Sequence, residues 1–356
     1  MSPDEDSMSK PRILIVKLSA VGDVVHTLPA LRALRRAFPE AWIGWAVHAG
    51  PASLLRGHPD LNECVVIPRR LEWRRLRSEF RALRDELRGQ AGSWDVALDF
   101  QGLTKSGLVA WLSGAKRRIG FAGEACRELN ALFTNERVRP VARAVIHMNL
   151  ELLRPLGVET DVAEARFVWD ASDEEYIASW ARREGAAAER YFVLDPFAGW
   201  VTKVWRPERW VSVARAVGQT YGLRTLVFYG PHERQEAEAL VSEMCKAGVA
   251  AMLAPETTLR QFVVLVRQHA ALFAGGDTGP MHIAAALGIP TVALFGASDS
   301  HRNAPVFSNA RFLVVQDFSQ PCAGTFDRKC RFHAPGHCLD SITVEQVLDA
   351  IGRLLH

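Results

Sequence analysis

Runs of apolar residues recur along the chain and alternate with stretches of helical periodicity. Ile13–Val16 (ILIV) leads into an amphipathic run from Thr27 to Phe38. It is followed by Trp42–Val47 (WIGWAV), Cys64–Ile67 (CVVI), a long charged helix from Leu71 to Arg88, and Asp95–Phe100 (DVALDF). After Leu150 the pattern restarts with Tyr191–Gly199 (YFVLDPFAG), Leu223–Gly230 (LRTLVFYG), Ala270–Gly279 (AALFAGGDTG), Thr291–Gly296 (TVALFG) and Arg311–Val315 (RFLVV). Continuous rather than alternating apolar runs mark strands buried on both faces, as in parallel sheets flanked by helices. Two such sets predict an α/β chain with domains over 11–168 and 169–340; the boundary falls near Phe167–Glu175, where FVWD gives way to the acidic helix opening SDEE. Val344 to Leu355 predicts a last helix within 341–356, and the polar residues 1–10 (MSPDEDSMSK) read as a disordered tail.

Composition narrows the class. A chain of 356 residues exceeds what one core usually serves. Hydrophobic residues at 48% and charged residues at 23% are ordinary for a soluble enzyme. A net charge of +3 gives no reason to expect nucleic acid as a partner. The sequence lacks an apolar run long enough to span a bilayer and a secretory signal, and its six cysteines are too sparse for a disulfide scaffold; together these point to a reducing cytoplasm.

Two loops carry candidate chemistry. In an open parallel sheet, ligands bind beyond the carboxyl ends of the strands. Lys17–Asp23 (KLSAVGD) follows the first strand and places a carboxylate at a helix start, where the helix dipole favours an anion by about 0.3–1 kcal/mol. Asp23 can cap that helix, or it can take a proton from a substrate hydroxyl. Gly22 suggests a special turn or close approach of a ligand. His26, three residues on, reads as a helix-start histidine.

The second loop is FAGGDTGPMHIAAALGIPTVALFG, Phe273 to Gly296. A strand ends in two glycines, Asp277 or Thr278 caps a helix, and Pro280 suits its first turn. The N–H groups so exposed suit phosphate oxygens. His282 is either a core-facing histidine or part of that phosphate turn. DPFAGWVTKVWRPERW (Asp195–Trp210) offers Ala198-Gly199 and then Lys203, a compact cation that could offset a diphosphate, or a solvated surface lysine. In FYGPHERQEAEAL, Glu233 could accept hydrogen bonds from a ribose or simply sit in a helix's first turn.

Together these residues resemble the lipopolysaccharide heptosyltransferases, glycosyltransferase family 9. The motifs are K-x-S-x-x-G-D at Lys17–Asp23 running into HTLPAL, DFQGLTKS at Asp99–Ser106, T-K-x-W at Thr202–Trp205, and GDTGPMHIAAALG at Gly276–Gly288. The resemblance implies a GT-B architecture, two Rossmann-like domains facing across a cleft, with the last helix crossing back to the N-terminal domain. It implies inverting, metal-independent transfer of heptose from ADP-heptose, a co-substrate rather than a cofactor, to an anionic glycolipid of the lipopolysaccharide inner core. Asp23 falls on the proposed base. Ala198, Gly199, Lys203, Glu233, Thr257, Asp277, Thr278, Gly279 and His282 fall on the donor side, although Ala198-Gly199 replaces the family's paired threonines. Ser19, Gly22, Arg69, Arg70, Gln101 and Arg127 fall on the acceptor side.

The segment Arg69 to Arg88 carries Arg69, Arg70, Arg74, Arg75, Arg77, Arg81, Arg84 and Arg88, interleaved with Glu72, Glu79, Asp85 and Glu86. It reads either as a salt-bridged helix face or as a surface for anionic glycolipid and the inner membrane leaflet, which would make the protein cytoplasmic and peripheral. Cys322, Cys330 and Cys338, with His333 and His337 nearby, could form a thiolate metal site, but their spacing is not that of a common zinc finger or ribbon, so free thiols and no metal ligands are expected. This segment keeps a protein-directed heptosyltransferase, of which some carry a cysteine-bound iron, as the nearest alternative. A GT-B sugar-nucleotide epimerase, active without an acceptor, and a non-catalytic sugar-nucleotide-binding module are the others.

Overall fold

The structure, a computed structural model, describes residues 10–69, 76–89, 92–186, 188–332 and 337–356. Residues 1–9 of the expected tail, Arg70, Glu72, Arg74, Arg75 and His333 lie outside the described residues, as do the side chains of Arg77, Glu79 and His337.

Contacts divide the chain into two units, Met1–Val168 and Trp169–His356. The first unit contains β1 (Arg12–Val16), β2 (Trp42–Val47), β3 (Glu63–Val66), β4 (Val96–Asp99), β5 (Arg117–Phe121) and β6 (Glu136–Val138). All pair in parallel, in the order β3-β2-β1-β4-β5-β6. The second contains β7 (Tyr191–Asp195), β8 (Arg224–Val227), β9 (Ala251–Leu253), β10 (Ala270–Gly276), β11 (Thr291–Phe295) and β12 (Phe312–Gln316), in the order β12-β11-β10-β7-β8-β9. Counted from its own first strand, each sheet has the 3-2-1-4-5-6 order of a doubly wound Rossmann fold. The strand order reverses between β1 and β4 in one sheet and between β7 and β10 in the other, and in such sheets the loops leaving the strands at that switch point flank a crevice.

The apolar runs become strands because helices cover both faces of each sheet. In the first unit, Leu14, Val16 and Ala97 pack with Leu83, Leu87 and Trp94. Gly44, inside β2, is there for the Trp94 indole: a Cβ would lie 2.3 Å from its Cη2. The second unit opens with a reciprocal cap. Asp170 accepts the N–H groups of Ser172 and Asp173, and the Asp173 carboxylate accepts the N–H of Asp170, starting the helix Ala171–Arg183 where the SDEE signal placed it.

Three strands escaped the hydrophobic pattern. β5 opens on Arg117-Arg118, and β6 and β9 are only three residues long, too short to show a period. A second difference concerns the C-terminal helix Val344–Leu355, expected to cross back to the N-terminal domain. It packs within the second unit against the helix Pro207–Tyr221, β11 and β12. Its apolar face, Val347, Ala350, Ile351 and Leu354, is buried in the same core as Phe192, Trp205 and Trp210, and that burial decides its place.

Ile351→Ala should therefore destabilise the second unit by about 2–5 kcal/mol, the usual result of emptying a buried branched side chain. The edge-on pair Trp205–Trp210, in the same core, reports this as a lower denaturant midpoint in tryptophan fluorescence.

Candidate active site

The first unit's loop leaves β1 at Lys17 and enters a short helix, Val21–Val25. Asp23 is its third residue, and its Oδ2 accepts the N–H of Ala20 at 3.0 Å, so the capping reading holds for one oxygen. Its Oδ1 lies 3.6 Å from the Nζ of Lys17, and 44% of the Asp23 side chain is open to solvent. The Lys17 ammonium is buried and donates to the carbonyl of Phe100, the residue after β4. Gly22 lies inside this helix and is not among the glycines with positive φ, so no left-handed turn explains it.

The loop after β4 is built around Asp99, which is fully buried. Its Oδ1 accepts the N–H groups of Gln101 and Gly102, and its Oδ2 accepts the Ser106 hydroxyl at 2.9 Å and the Asn130 amide at 2.6 Å. Burial raises its pKa, and these four donors work against that rise. Gly102, at φ +69°, is required: a Cβ would stand 2.2 Å from the carbonyl oxygen of Ala125. Gln101 turns its side-chain oxygen onto the N–H of Leu18 at 2.8 Å, tying the β4 loop to the β1 loop. Arg127 is exposed and its N–H meets the carbonyl of Gly102. Ser19 is half-buried between Leu18 and Ala20. Sequence reasoning passed over His48 and Lys105. His48 directly follows β2, its N–H reaches the carbonyl of Leu18, and its Nδ1 meets the carbonyl of Ile67. Burial lowers its pKa; the Ile67 carbonyl opposes this, while the charges of Lys105 and Arg69 reinforce it. A histidine placed directly after a strand (WAVHAGP) was the available signal. His26 is buried, and its carbonyl accepts the Asn149 amide at 3.1 Å, so it belongs to the helix packing.

In the second unit the loops after β7 and β10 meet. A Cβ on Gly275 would come within 2.5 Å of the Asp195 carbonyl oxygen, and one on Gly276 within 2.6 Å of that of Lys203. The double glycine is thus a condition for the two loops to touch. Asp277, 4% exposed at its side chain, is clamped from two sides. The Lys203 Nζ donates to its Oδ2 at 2.7 Å and its carbonyl at 2.9 Å, and the Nε2 of His282 sits 3.0 Å from its Oδ1. Burial alone would raise the Asp277 pKa; the His282 hydrogen bond and the Lys203 charge outweigh it and hold the carboxyl far below its ordinary value. Lys203 is therefore neither a solvated surface lysine nor an unengaged cation; its ammonium also lies 4.6 Å from the Trp200 ring centre.

Thr278 caps the helix Gly279–Ala286 by accepting the Met281 N–H, while its own hydroxyl donates to Asp195 Oδ2 at 2.6 Å. Burial pushes the Asp195 carboxyl up to about 7; the Thr278 hydroxyl opposes this and the Glu233 charge adds to it. Glu233 accepts the Gly230 N–H at 2.7 Å, using one oxygen to close its own turn. Ala198 is half-buried, Gly199 is exposed, and a Cβ on Gly199 would meet nothing within 4 Å. The Thr257 Oγ1 is buried without a hydrogen-bond partner. Cys322, Cys330 and Cys338, expected as separate free thiols, converge with their Sγ atoms within 4.8 Å of one another.

The sequence model of glycosyltransferase family 9 (heptosyltransferase) matches residues 80–334. Lipopolysaccharide heptosyltransferase 1 of Pseudomonas aeruginosa is 29% identical over 330 residues, covering 90% of this chain and 88% of its own. A family 9 glycosyltransferase of Veillonella parvula superposes with a TM-score of 0.79 at 22% identity over 98% of each chain. Escherichia coli heptosyltransferase WaaC with ADP superposes at 0.73 and 23% identity, over 96% of this chain and 99% of its own. The two superpositions give the fold, GT-B.

Two outcomes follow for the second unit. Lys203→Met leaves Asp277 buried with one partner fewer and should cost about 3–5 kcal/mol in denaturant unfolding. For Asp195, the folded chain holds its proton at pH values where the unfolded chain has lost it. Wild-type stability should thus fall, relative to Asp195→Asn, as pH rises from about 4 to about 7, and the gap should stay constant above that, as measured by urea unfolding across pH.

Proposed function

Because the chain belongs to glycosyltransferase family 9, the heptosyltransferases, we propose that it moves heptose from ADP-heptose onto a lipopolysaccharide inner-core hydroxyl, of Kdo or of heptose. Transfer inverts the anomeric carbon and needs no metal ion at the reacting atoms. Asp23 carries this reading: a carboxylate 44% exposed, at the crevice loop of its sheet, fixed by the Ala20 N–H and accompanied by the buried Lys17 ammonium.

Asp23 accepts the proton of the acceptor hydroxyl while that oxygen forms a bond to the anomeric carbon. The bond from that carbon to the diphosphate oxygen breaks, and ADP leaves with the electron pair. The growing charge is met by Lys203 and by the first N–H groups of the helix Gly279–Ala286. Two of the three ammonium donors of Lys203 are spent on Asp277, which leaves the third for a diphosphate oxygen. Asp277 does not repel the donor because Lys203 and His282 surround its charge. Gly199 leaves its loop open for the donor, and Glu233 and Thr257 fit contacts to the nucleoside.

On the first unit, Arg69, Lys105 and Arg127 are exposed around the loops after β3, β4 and β5 and suit the phosphates and carboxylates of an anionic glycolipid. On the helix Leu76–Arg88, Leu83 and Leu87 face inward while Arg81, Arg84 and Arg88 stay exposed, a face suited to the anionic inner leaflet. Among the described residues no helix is long and apolar enough to cross a membrane, and attachment would be peripheral.

The test is to incubate the protein with ADP-heptose, with and without Kdo–lipid A, and to follow ADP release. Acceptor-dependent release is expected; sugar conversion without acceptor would turn the reading to an epimerase. Asp23→Asn should lower kcat by about 10²–10⁴-fold with ADP affinity retained, and unchanged turnover would refute its role as base.

A further inference from the structure

Between β12 and the helix Val344–Leu355 the chain runs from Asp317 to Thr343 with, among its described residues, no regular element longer than the single turn His337–Leu339. A connection of that length is seldom ordered by backbone pairing alone. This one gathers three cysteines. Cys322 and Cys338 are 1% and 3% exposed, Cys330 is half-buried, and all three sulfurs lie within 4.8 Å of one another. Thiolate bonds of about 2.3 Å at the tetrahedral angle set sulfurs about 3.8 Å apart, so a contraction of about 1 Å would close the trio on one ion. Three soft ligands select a thiophilic metal over magnesium or calcium.

The same segment supports the loop that bears Lys203. The turn His337–Leu339 packs on the turn Val201–Lys203, and the Thr202 hydroxyl donates to the Asp327 carbonyl at 2.8 Å. The Arg328 guanidinium lies 5.1 Å from the centre of the Trp200 ring that Lys203 also approaches. At Gly296, a Cβ would meet the Thr202 carbonyl oxygen at 2.3 Å and the Cys338 Cβ at 3.3 Å. The sulfur cluster, the end of β11 and the Lys203 turn are thus packed into one body.

We propose that Cys322, Cys330 and Cys338 bind one thiophilic transition-metal ion, zinc or iron, as a structural staple that fixes the Val201–Lys203 turn. Binding displaces the thiol protons to solvent and forms three metal–sulfur bonds, with no change of oxidation state. The metal takes no part in transfer. Its existence is independent of the proposed reaction, and only its effect on ADP affinity rests on that reading.

The full chain, purified without chelator, should contain about one equivalent of zinc plus iron by elemental analysis. Cobalt added to the stripped protein should give the sulfur-to-cobalt charge-transfer band of a thiolate site. Stripping should lower Tm by several degrees and weaken ADP binding, with both restored by zinc. Cys330→Ser should lose the metal, and Cys245→Ser, at an exposed cysteine elsewhere in the unit, should keep it. Metal well below one equivalent, together with thiols equally reactive with and without added zinc, would overturn the proposal, as would a disulfide between any two of the three. A stripped protein that binds ADP normally would overturn the link to the Lys203 turn and leave the metal site standing.

Discussion

A buried carboxylate sets the geometry of the second unit. Asp277 sits where water cannot solvate its charge, so it exists only because Lys203 and His282 face it. Meeting that demand draws the loop after β7 onto the loop after β10, and the contact is close enough that Gly275 and Gly276 admit no side chain. Thr278 then links the second loop to Asp195 at the end of β7 and starts the helix whose N–H groups open the crevice. The geometry of these two loops thus follows from how one internal charge is satisfied.

The first unit solves the matching problem with the opposite electrostatics. Asp99 is equally buried, yet among the described residues amide and hydroxyl donors satisfy it, and burial prevails in raising its pKa. The cation goes instead to Lys17, anchored on the Phe100 carbonyl and set beside the half-exposed Asp23. One unit hides its carboxylate behind a lysine and a histidine. The other holds a carboxylate open to solvent.

The doubly wound fold was legible because strands buried on both faces read as unbroken apolar runs, and ILIV, WIGWAV and TVALFG are such runs. Strands that begin with arginine or span three residues were not, since their place comes from pairing with a formed neighbour. The loop GGDTGP announced its helix start through local chemistry alone. The Lys203–Asp277 pair was hidden because its members are 74 residues apart. The same limit applied to the cysteines: regular spacing along the chain is uninformative when the loop that folds them together has no period of its own. The C-terminal helix was misplaced for a related reason. Its apolar stripe shows that it must be covered, not by which unit.

The repeated strand order has a consequence for divergence. Each unit closes its own sheet over its own core, and each has its strand order reverse at the same place. The hydrogen bonds that hold the loop after β4 around Asp99 and those of the clamp on Asp277 share no residue. Divergence in one of these networks therefore needs no compensating change in the other, and the two halves of the sequence can drift at different rates.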